Sequence, residues 1–207
     1  MVNIHISGIT QGVGFRPFVF RKAKFYNLNG FVINSSSGVQ IEVEGEESSI
    51  NNFSEEVKKN PPPRARIDNY KINDIPLKKE KIFKIYYEKE QNDKELNISP
   101  DIALCEECKE ELTNPSDKRF SFPFISCDNC GPRYSIMIKI PYERKNITMV
   151  DFPMCKSCSH EYNDPENRRF HVESTSCPIC GPDLFLFNQY GTILDSGNKT
   201  IEKVVSL

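Results

Sequence analysis

The N-terminal fold is decided by residues 8 to 17, which read Gly8-Ile9-Thr10-Gln11-Gly12-Val13-Gly14-Phe15-Arg16-Pro17. Immediately before this stretch, Val2, Ile4 and Ile6 alternate with other residues, a pattern that predicts a strand. Pro17 suits the first turn of a helix, because its missing N–H would lack a helical partner there anyway. The glycine-containing segment between strand and helix is therefore predicted to be a tight loop.

After this loop, the hydrophobic pattern predicts a helix followed by a hairpin. The helix is predicted to run to Leu28, with Asn29-Gly30 as its stop signal. Residues 31–34 and 39–43 are predicted to be two strands joined by a serine-rich turn.

A second helix and two further strands complete the predicted domain. Residues 47–59 have apolar residues at helical spacing and stop before three prolines, whereas residues 65–73 and 82–87 are predicted strands. The order β-α-β-β-α-β is that of an α+β, ferredoxin-like sandwich. In that fold two helices cover one face of an antiparallel sheet.

This topology brings two separate stretches to one edge of the sheet. The first two strands are predicted to run parallel, so their C-terminal ends share the edge where the Gln11 to Arg16 loop meets Asn34. Loop N–H groups, a helix N-terminus and a guanidinium together can hold a phosphate. Arg16 can bind two phosphate oxygens at once, and Asn34 could orient a water. In the alternative interpretation Gly12 and Gly14 only make a turn, Arg16 is solvated and Asn34 caps a strand.

The cysteines form the pattern C-x2-C-x18-C-x2-C twice. They are Cys105, Cys108, Cys127, Cys130, Cys155, Cys158, Cys177 and Cys180. This spacing indicates metal ligation rather than disulfides, and four thiolates complete a closed tetrahedral zinc site. Two structural Zn²⁺ ions are therefore predicted. Sequential pairing of the ligands is the simpler arrangement, interleaved pairing fits the same spacing, and an iron–sulfur cluster is chemically allowed but less favoured.

The cysteines belong to an internal repeat with a period of 50 residues. We name residues 105–132 the first repeat and residues 155–182 the second repeat. Besides the cysteines, Pro115, Arg119-Phe120 and Gly131-Pro132 recur as Pro165, Arg169-Phe170 and Gly181-Pro182. His160 and His171 lie between cysteine pairs, but they are predicted to be surface or packing residues because four cysteines already complete each site.

Composition and charge exclude several classes of function. No apolar run approaches the length needed to span a bilayer, and the N-terminus has no secretory signal, so a cytoplasmic protein without a membrane partner is expected. The formal net charge is only -2. Residues 101–185 contain 10 basic and 14 acidic side chains, which disfavours nucleic-acid binding by the cysteine-rich part.

The chain is predicted to contain two domains and the beginning of a third. Residues 88–95 are charged and lack periodicity, as expected of a solvated connection. We therefore expect one domain over 1–90, a linker over 91–100 and a zinc-stabilised domain over 101–185. Residues 186–207 are expected to lead into a third domain, with a strand ending at Leu194, a turn at Asp195-Ser196-Gly197 and then an interrupted helix.

Gly8 to Arg16, followed by Gly30-Phe31-Val32-Ile33-Asn34, resembles the acylphosphatase signature. The resemblance covers residues 2 to 88. It implies that the phosphate of an acyl phosphate is bound by Gln11, Gly12, Val13, Gly14, Phe15 and Arg16. It further implies that Arg16 and Asn34 are catalytic, with Asn34 positioning the attacking water. Such catalysis relies on positioning and charge stabilisation, which agrees with the absence of His, Asp and Glu from both stretches.

The whole chain resembles the N-terminal part of the hydrogenase-maturation carbamoyltransferase family. The supporting stretches are Cys127-Asp128-Asn129-Cys130-Gly131-Pro132-Arg133-Tyr134-Ser135, Pro141-Tyr142-Glu143-Arg144, Phe152-Pro153-Met154-Cys155 and Arg168-Arg169-Phe170-His171. This resemblance implies that the substrate is carbamoyl phosphate, hydrolysed to phosphate and carbamate. In that family, further domains use ATP and pass the carbamoyl group to a C-terminal Cys of a partner maturation protein. This chain lacks those domains, so full transfer is not expected from it. The alternative is a non-catalytic, zinc-stabilised scaffold that binds an acyl phosphate.

Overall fold

The computed structural model describes residues 1–35, 37–86, 99–197 and 200–206. The N-terminal domain contains β1 (Val2–Ile9), α1 (Phe15–Phe25), β2 (Asn29–Ser35), β3 (Gly38–Glu44), α2 (Glu47–Lys59), β4 (Arg66–Asp74) and β5 (Phe83–Tyr86). The remainder contains α3 (Glu106–Thr113), α4 (Lys156–Asn163), β6 (Phe185–Phe187), β7 (Ile193–Ser196) and α5 (Thr200–Val205). Three short 3-10 helices, Tyr134–Ile136, Arg144–Asn146 and Thr148–Asp151, lie between α3 and α4.

The N-terminal domain has the predicted ferredoxin-like topology β-α-β-β-α-β from β1 to β4, and the strand predicted over 82–87 is β5, a fifth strand of the same sheet. The sheet has the strand order β4-β1-β3-β2-β5. β1 and β2 both pair antiparallel with β3, so they run in the same direction, as expected. The prediction of a purely antiparallel sheet was wrong, because β5 pairs parallel with the free edge of β2. The alternating pattern of residues 82–87 predicted a strand but carried no information about its direction.

Two helices bury their apolar stripes against one face of this sheet. Val19 of α1 and Phe53 of α2 have no exposed surface, and neither do Ile4 of β1 and Ile41 of β3, which face each other in register. Each such side chain contributes about 1.5–3 kcal/mol by leaving water. This core places the N-terminus of α1 at the edge where β1 and β2 end.

The first helix ends earlier than predicted. It stops at Phe25, and the chain turns at Asn27, whose φ is 53°. The Leu28 N–H donates to the Ala23 carbonyl at 2.8 Å, which is the bond of a Schellman motif. Asn27 rather than Asn29-Gly30 therefore terminates the helix, since asparagine tolerates a left-handed backbone, and residues 29 and 30 already belong to β2.

In both repeats a helix starts directly after the first cysteine. Cys105 precedes α3 and Cys155 precedes α4, so the second cysteine of each pair lies in the first turn of its helix. The tail forms the hairpin β6–β7 and then α5. Asp195 and Ser196 were expected in the turn but belong to β7, and the turn lies before Ile193.

Several predictions fall outside the described residues. These are the end of the strand at residue 87, most of the 91–100 linker, the charged 88–95 boundary, and residues 198, 199 and 207 of the last helix. Within the described part of the chain, every helix is too short or too polar to cross a lipid bilayer.

Candidate active site and metal centres

A small cavity lies where β1 and β2 end and α1 begins. Arg16 and Asn34 both line it, although they belong to different elements, together with Gly12 and Gly14 of the connecting loop. The space between its walls is about 340 Å³, part of it open to solvent. The predicted meeting of the loop with Asn34 is thus observed.

The backbone of the loop needs its glycines. Gly12 and Gly14 have φ angles of 71° and 73°, in the left-handed region that glycine adopts without strain. There is also no space for a side chain at Gly12, because a Cβ atom would lie 2.9 Å from Cδ of Arg133. The left-handed turn at Gly14 leads directly into α1, so the helix N-terminus lies at the cavity.

Arg16 is buried and forms an ion pair across the molecule. Only 5% of its surface is exposed, and its Nη2 donates to Oε1 of Glu173 at 2.6 Å. Glu173 is 1% exposed and belongs to the second repeat. Burial raises the pKa of Glu173, while the charge of Arg16 and the hydrogen bonds from Tyr162, Arg16 and Arg144 oppose that rise.

The cysteine-rich part covers the loop with further contacts. The Arg133 guanidinium donates through Nε to the Gly12 carbonyl and through Nη2 to the Cys127 carbonyl at 2.8 Å. The backbone N–H of Tyr142 donates to Oε1 of Gln11 at 3.0 Å. The cavity therefore has walls from both halves of the chain.

Three buried oxygen atoms at this site, one of them Oδ1 of Asp128, have no hydrogen-bond partner among the described residues, and the other two belong to almost fully buried residues. These two are Oγ1 of Thr10 and Oδ1 of Asn34, and both residues are 1% exposed and line the cavity. An unsatisfied buried polar group costs about 1–3 kcal/mol, so a polar ligand that bonds to these atoms would recover that cost. Asn34 Oδ1 is an acceptor, and a bound water could donate to it.

The eight cysteines form two separate clusters. Cys105, Cys108, Cys127 and Cys130 make one cluster, and Cys155, Cys158, Cys177 and Cys180 make the other. This is the sequential pairing, so the interleaved arrangement is excluded. Neighbouring sulfurs lie 3.6 and 3.7 Å apart in the first cluster and 3.8 Å apart in the second.

These distances fit zinc. A tetrahedral ion with Zn–S bonds of about 2.3 Å separates its sulfurs by about 3.8 Å, whereas a disulfide would need about 2.05 Å. All eight thiols are free of disulfides. Neither His160 nor His171 belongs to a cluster, which agrees with the prediction that they are not ligands. Each cluster has four ligands and so leaves no open position for a substrate.

Two family models match the chain. One, described as Acylphosphatase, matches residues 2–85, and the other, described as HypF finger, matches residues 104–137 and 154–187. An acylphosphatase of Thermotoga maritima is 38% identical over 87 residues, which cover 42% of this chain and 96% of that protein. The chain belongs to the acylphosphatase family.

The match to HypF carbamoyltransferases extends across both halves. A probable carbamoyltransferase HypF of Methanocaldococcus jannaschii is 46% identical over 147 residues, 70% of this chain and 19% of that protein. The carbamoyltransferase HypF of Synechocystis sp. is 40% identical over 151 residues, 73% of this chain and 20% of that protein. The chain thus spans about a fifth of the length of these relatives.

A crystal structure of full-length HypF in the phosphate- and nucleotide-bound form has the same fold. Its TM-score is 0.88 at 45% identity, covering 99% of this chain and 27% of that one. The acylphosphatase domain and the two fingers therefore correspond to the N-terminal region of the HypF family, as the sequence predicted.

The acylphosphatase loop residues do not all face the cavity. Gly12, Gly14, Phe15 and Arg16 line it, whereas Val13 packs in the hydrophobic core. The Gln11 side chain instead holds the β2–β3 turn, because its Nε2 donates to the Ser35 carbonyl at 2.8 Å and the Gly38 carbonyl at 3.2 Å. A phosphate contact from the Gln11 and Val13 backbones stays a prediction.

The contribution of the fingers to this cavity was not predicted. We call residues 104–187 the finger region. Its residues that line the cavity are Asp128, Arg133, Tyr142, His171, Val172 and Glu173. A usable signal was the comparison of the repeats, because Glu173 aligns with Pro123 at the 50-residue offset and, one position beyond each repeat, Arg133 aligns with Asp183. Such departures mark positions that the repeated metal-binding fold does not require.

Each finger places an arginine side chain against the other finger, an arrangement that we call the arginine exchange. Arg119 of the first repeat donates to Glu161 at 2.5 Å and through Nε to the Ser176 carbonyl at 2.8 Å. Arg169 of the second repeat repeats this arrangement in the opposite direction, with Glu111 and the Ser126 carbonyl. Equivalent residues of the two arrangements differ by 50 positions, so the fingers are related by an internal pseudo-twofold symmetry.

Arginines at this interface also contact the two cysteine clusters. Nη2 of Arg119 lies 3.6 Å from Sγ of Cys158, and Nη2 of Arg168 lies 3.0 Å from Sγ of Cys108. A guanidinium beside a thiolate stabilises its negative charge. Burial raises the pKa of Glu161, but the hydrogen bonds from Arg119 and Lys118 outweigh that effect and lower it to about 2. The acid at this interface is therefore ionised.

Proposed function

We propose that the chain hydrolyses acyl phosphates in the cavity formed by Arg16 and Asn34. The observation that carries the proposal is their meeting in one buried cavity, beside a left-handed glycine loop and the N-terminus of α1. This is an oxyanion site built from a guanidinium and backbone amides. Membership of the acylphosphatase family supports the same reaction.

In the proposed reaction, the Arg16 guanidinium and the loop amides bind the phosphoryl oxygens and neutralise their charge. Asn34 accepts a hydrogen bond from water through Oδ1 and orients it towards phosphorus. The bond between phosphorus and the bridging oxygen breaks, and the acyl group leaves as a carboxylate. Because a carboxylate needs no proton to leave, positioning and charge stabilisation suffice.

We propose carbamoyl phosphate as the substrate. The matched relatives are named carbamoyltransferases, which supports a carbamoyl group as the acyl part of the substrate. Hydrolysis would release phosphate and carbamate. In the whole protein, use of ATP and transfer of the carbamoyl group to a C-terminal Cys of a partner maturation protein would depend on regions outside this chain.

We propose that the fingers hold two structural Zn²⁺ ions and that the protein is cytoplasmic. Four buried or half-buried sulfurs at tetrahedral spacing form each closed site, and the HypF finger model matches both. Eight thiols without a disulfide suit a reducing compartment. The proposed domain bounds, 1–90 and 101–185, place one zinc-stabilised unit after the hydrolytic one.

The test is phosphate release from carbamoyl phosphate, with acetyl phosphate alongside, by the purified zinc-loaded chain. Arg16→Ala is expected to lower kcat/KM by about 10²–10³-fold, the effect of removing one oxyanion donor. Lys22→Ala is the matched control, because Lys22 lies on the same helix but pairs with Glu56 outside the cavity. Undiminished turnover in Arg16→Ala would refute the site.

Asn34→Ala tests the water-positioning role separately. We expect kcat to fall by about 10²-fold while KM changes little, because Asn34 acts on the water rather than on the phosphate. A rise in KM at constant kcat would instead assign Asn34 to substrate binding.

The second candidate is a zinc-stabilised scaffold that binds an acyl phosphate without hydrolysing it. The closed metal sites favour it, together with the existing ion pair of Arg16 with Glu173. Phosphate binding without phosphate release, in a folded and zinc-loaded sample, would support this candidate over the hydrolase.

A further inference from the structure

Glu173 is held in place independently of Arg16. Its Oε2 accepts hydrogen bonds from the Tyr162 hydroxyl and from the backbone N–H of Arg144, both at 3.0 Å. The Arg144 guanidinium also donates to the Glu173 carbonyl at 2.6 Å. Oε1 accepts a hydrogen bond from Arg16, at 2.6 Å from its Nη2. The carboxylate cannot turn away from Arg16 without breaking bonds made to α4 and to a 3-10 helix.

This arrangement indicates that Glu173 orients Arg16 and does not occupy the position of the phosphate. A guanidinium has five N–H donors in a planar fork, so one edge can bind a carboxylate while another binds phosphate. A carboxylate that merely occupied the phosphate position would need to leave when phosphate bound. Glu173 is instead fixed on its far side by two donors and is 1% exposed.

Comparison of the repeats supplies independent support. The position equivalent to Glu173 in the first repeat is Pro123, and the position equivalent to Tyr162 is Leu112. The first repeat nevertheless forms its cysteine cluster and its arginine exchange. The finger fold therefore needs neither side chain, and both occur in the repeat that contacts Arg16.

We propose that Glu173 is a positioning residue for Arg16, supplied by the second finger to the acylphosphatase site. Its carboxylate orients the guanidinium so that the remaining edge of the fork faces the phosphate. This inference rests on the proposed function for the location of the phosphate, but it concerns binding and not the chemical step. The fingers would then be part of the phosphate site as well as a metal-stabilised unit.

The test uses inorganic phosphate as the probe and isothermal titration calorimetry on the whole zinc-loaded chain. Glu173→Gln has nearly the same shape, but one of its two ends must present an NH₂ group either to Arg16 or to the Arg144 N–H. We expect phosphate to bind about tenfold more weakly, and the KM for carbamoyl phosphate to rise by a similar factor.

Two further variants show whether the effect passes through Arg16. In an Arg16→Lys background, where no planar fork remains to be oriented, Glu173→Gln is expected to change the Kd for phosphate by less than about twofold. Tyr162→Phe, which removes one donor to Oε2, is expected to weaken phosphate binding by about two- to fivefold.

Glu42→Gln is the matched control. Glu42 is also buried and also pairs at 2.6 Å, with Lys78, but it lies on β3 and does not line the cavity. Phosphate binding should be unchanged in this variant. Zinc content and circular dichroism verify that each variant is folded.

The outcomes separate the two proposals. Tenfold weaker binding in Glu173→Gln that disappears in the Arg16→Lys background supports positioning, even if the chain releases no phosphate and the hydrolase proposal fails. Unchanged binding overturns positioning, and so does an equal loss in both backgrounds. Tighter binding in Glu173→Gln would also overturn it, because Glu173 would then compete with phosphate for Arg16.

Discussion

His171 lies beside Arg16 and remains uncharged there because of its burial. It has a left-handed backbone, with φ of 51°, as does its counterpart Ser121 in the first repeat, with φ of 56°. Its ring packs against Phe170 and Tyr162 at centroid distances of 4.6 and 4.9 Å. Burial, together with the charge of Arg16, lowers the pKa of His171 to about 3. The imidazole is therefore neutral at neutral pH and adds no second positive charge at the cavity.

This lowered pKa predicts a loss of stability in mild acid. An unfolded histidine gains a proton below about pH 6.5, whereas the folded His171 does not. The contribution of His171 to the free energy of unfolding is therefore complete above pH 6.5 and is progressively lost as the pH falls towards 3. By pH 5.5 the loss is about 1.4 kcal/mol. His171→Asn, which tolerates the left-handed backbone, should lack this part of the decline. Urea unfolding at pH 7.5 and 5.5, with zinc content measured at both, tests this, and equal declines in both proteins would contradict it.

At the scale of elements, periodicity predicted most of the fold but not the directions or partners of its parts. The bounds of α2 were predicted correctly because Ile50, Phe53 and Val57 have helical spacing and all three are buried. The parallel pairing of β5 could not be predicted, since an alternating pattern is the same in either direction. Arg16 and Asn34 were found because topology places strand ends together, whereas Glu173 is 157 positions from Arg16 and no local pattern links them.

The arginine exchange predicts that each finger stabilises the zinc site of the other finger. Arg169→Lys removes the planar fork that binds both Glu111 and the Ser126 carbonyl, so we expect a loss of about 1–3 kcal/mol in the free energy of unfolding. When a zinc chelator is added, it should also extract zinc faster from the first cluster of this variant than from that of the unchanged protein, because Arg169 contacts Cys108 of that cluster. Arg119→Lys should act in the same way on the second cluster. Arg66→Lys, in an exposed pair with Asp68, is the control and should change neither quantity.

At the scale of the whole molecule, the fingers and the acylphosphatase domain share a buried contact around the Gln11 to Arg16 loop. Arg133, Tyr142 and Glu173 all reach this loop from the finger region, and each is at most 3% exposed. Among the described residues that line the cavity there is no cysteine. Any dependence of phosphate binding on zinc must therefore pass through the folded finger region and not through metal contact with the ligand.

Removal of zinc tests this dependence directly. Structural zinc contributes about 10–16 kcal/mol to small four-ligand domains, so chelation is expected to unfold the fingers and withdraw Glu173 from Arg16. The acylphosphatase domain should stay folded, because it has its own core and the Thermotoga maritima acylphosphatase matches it over 96% of its length. We expect phosphate to bind about tenfold more weakly after chelation, and zinc to restore the affinity. In Glu173→Gln, chelation should weaken phosphate binding only slightly further, since the ion pair with Arg16 is already lost in this variant. Unchanged binding by the fully zinc-free chain would show that the acylphosphatase site is complete without the fingers.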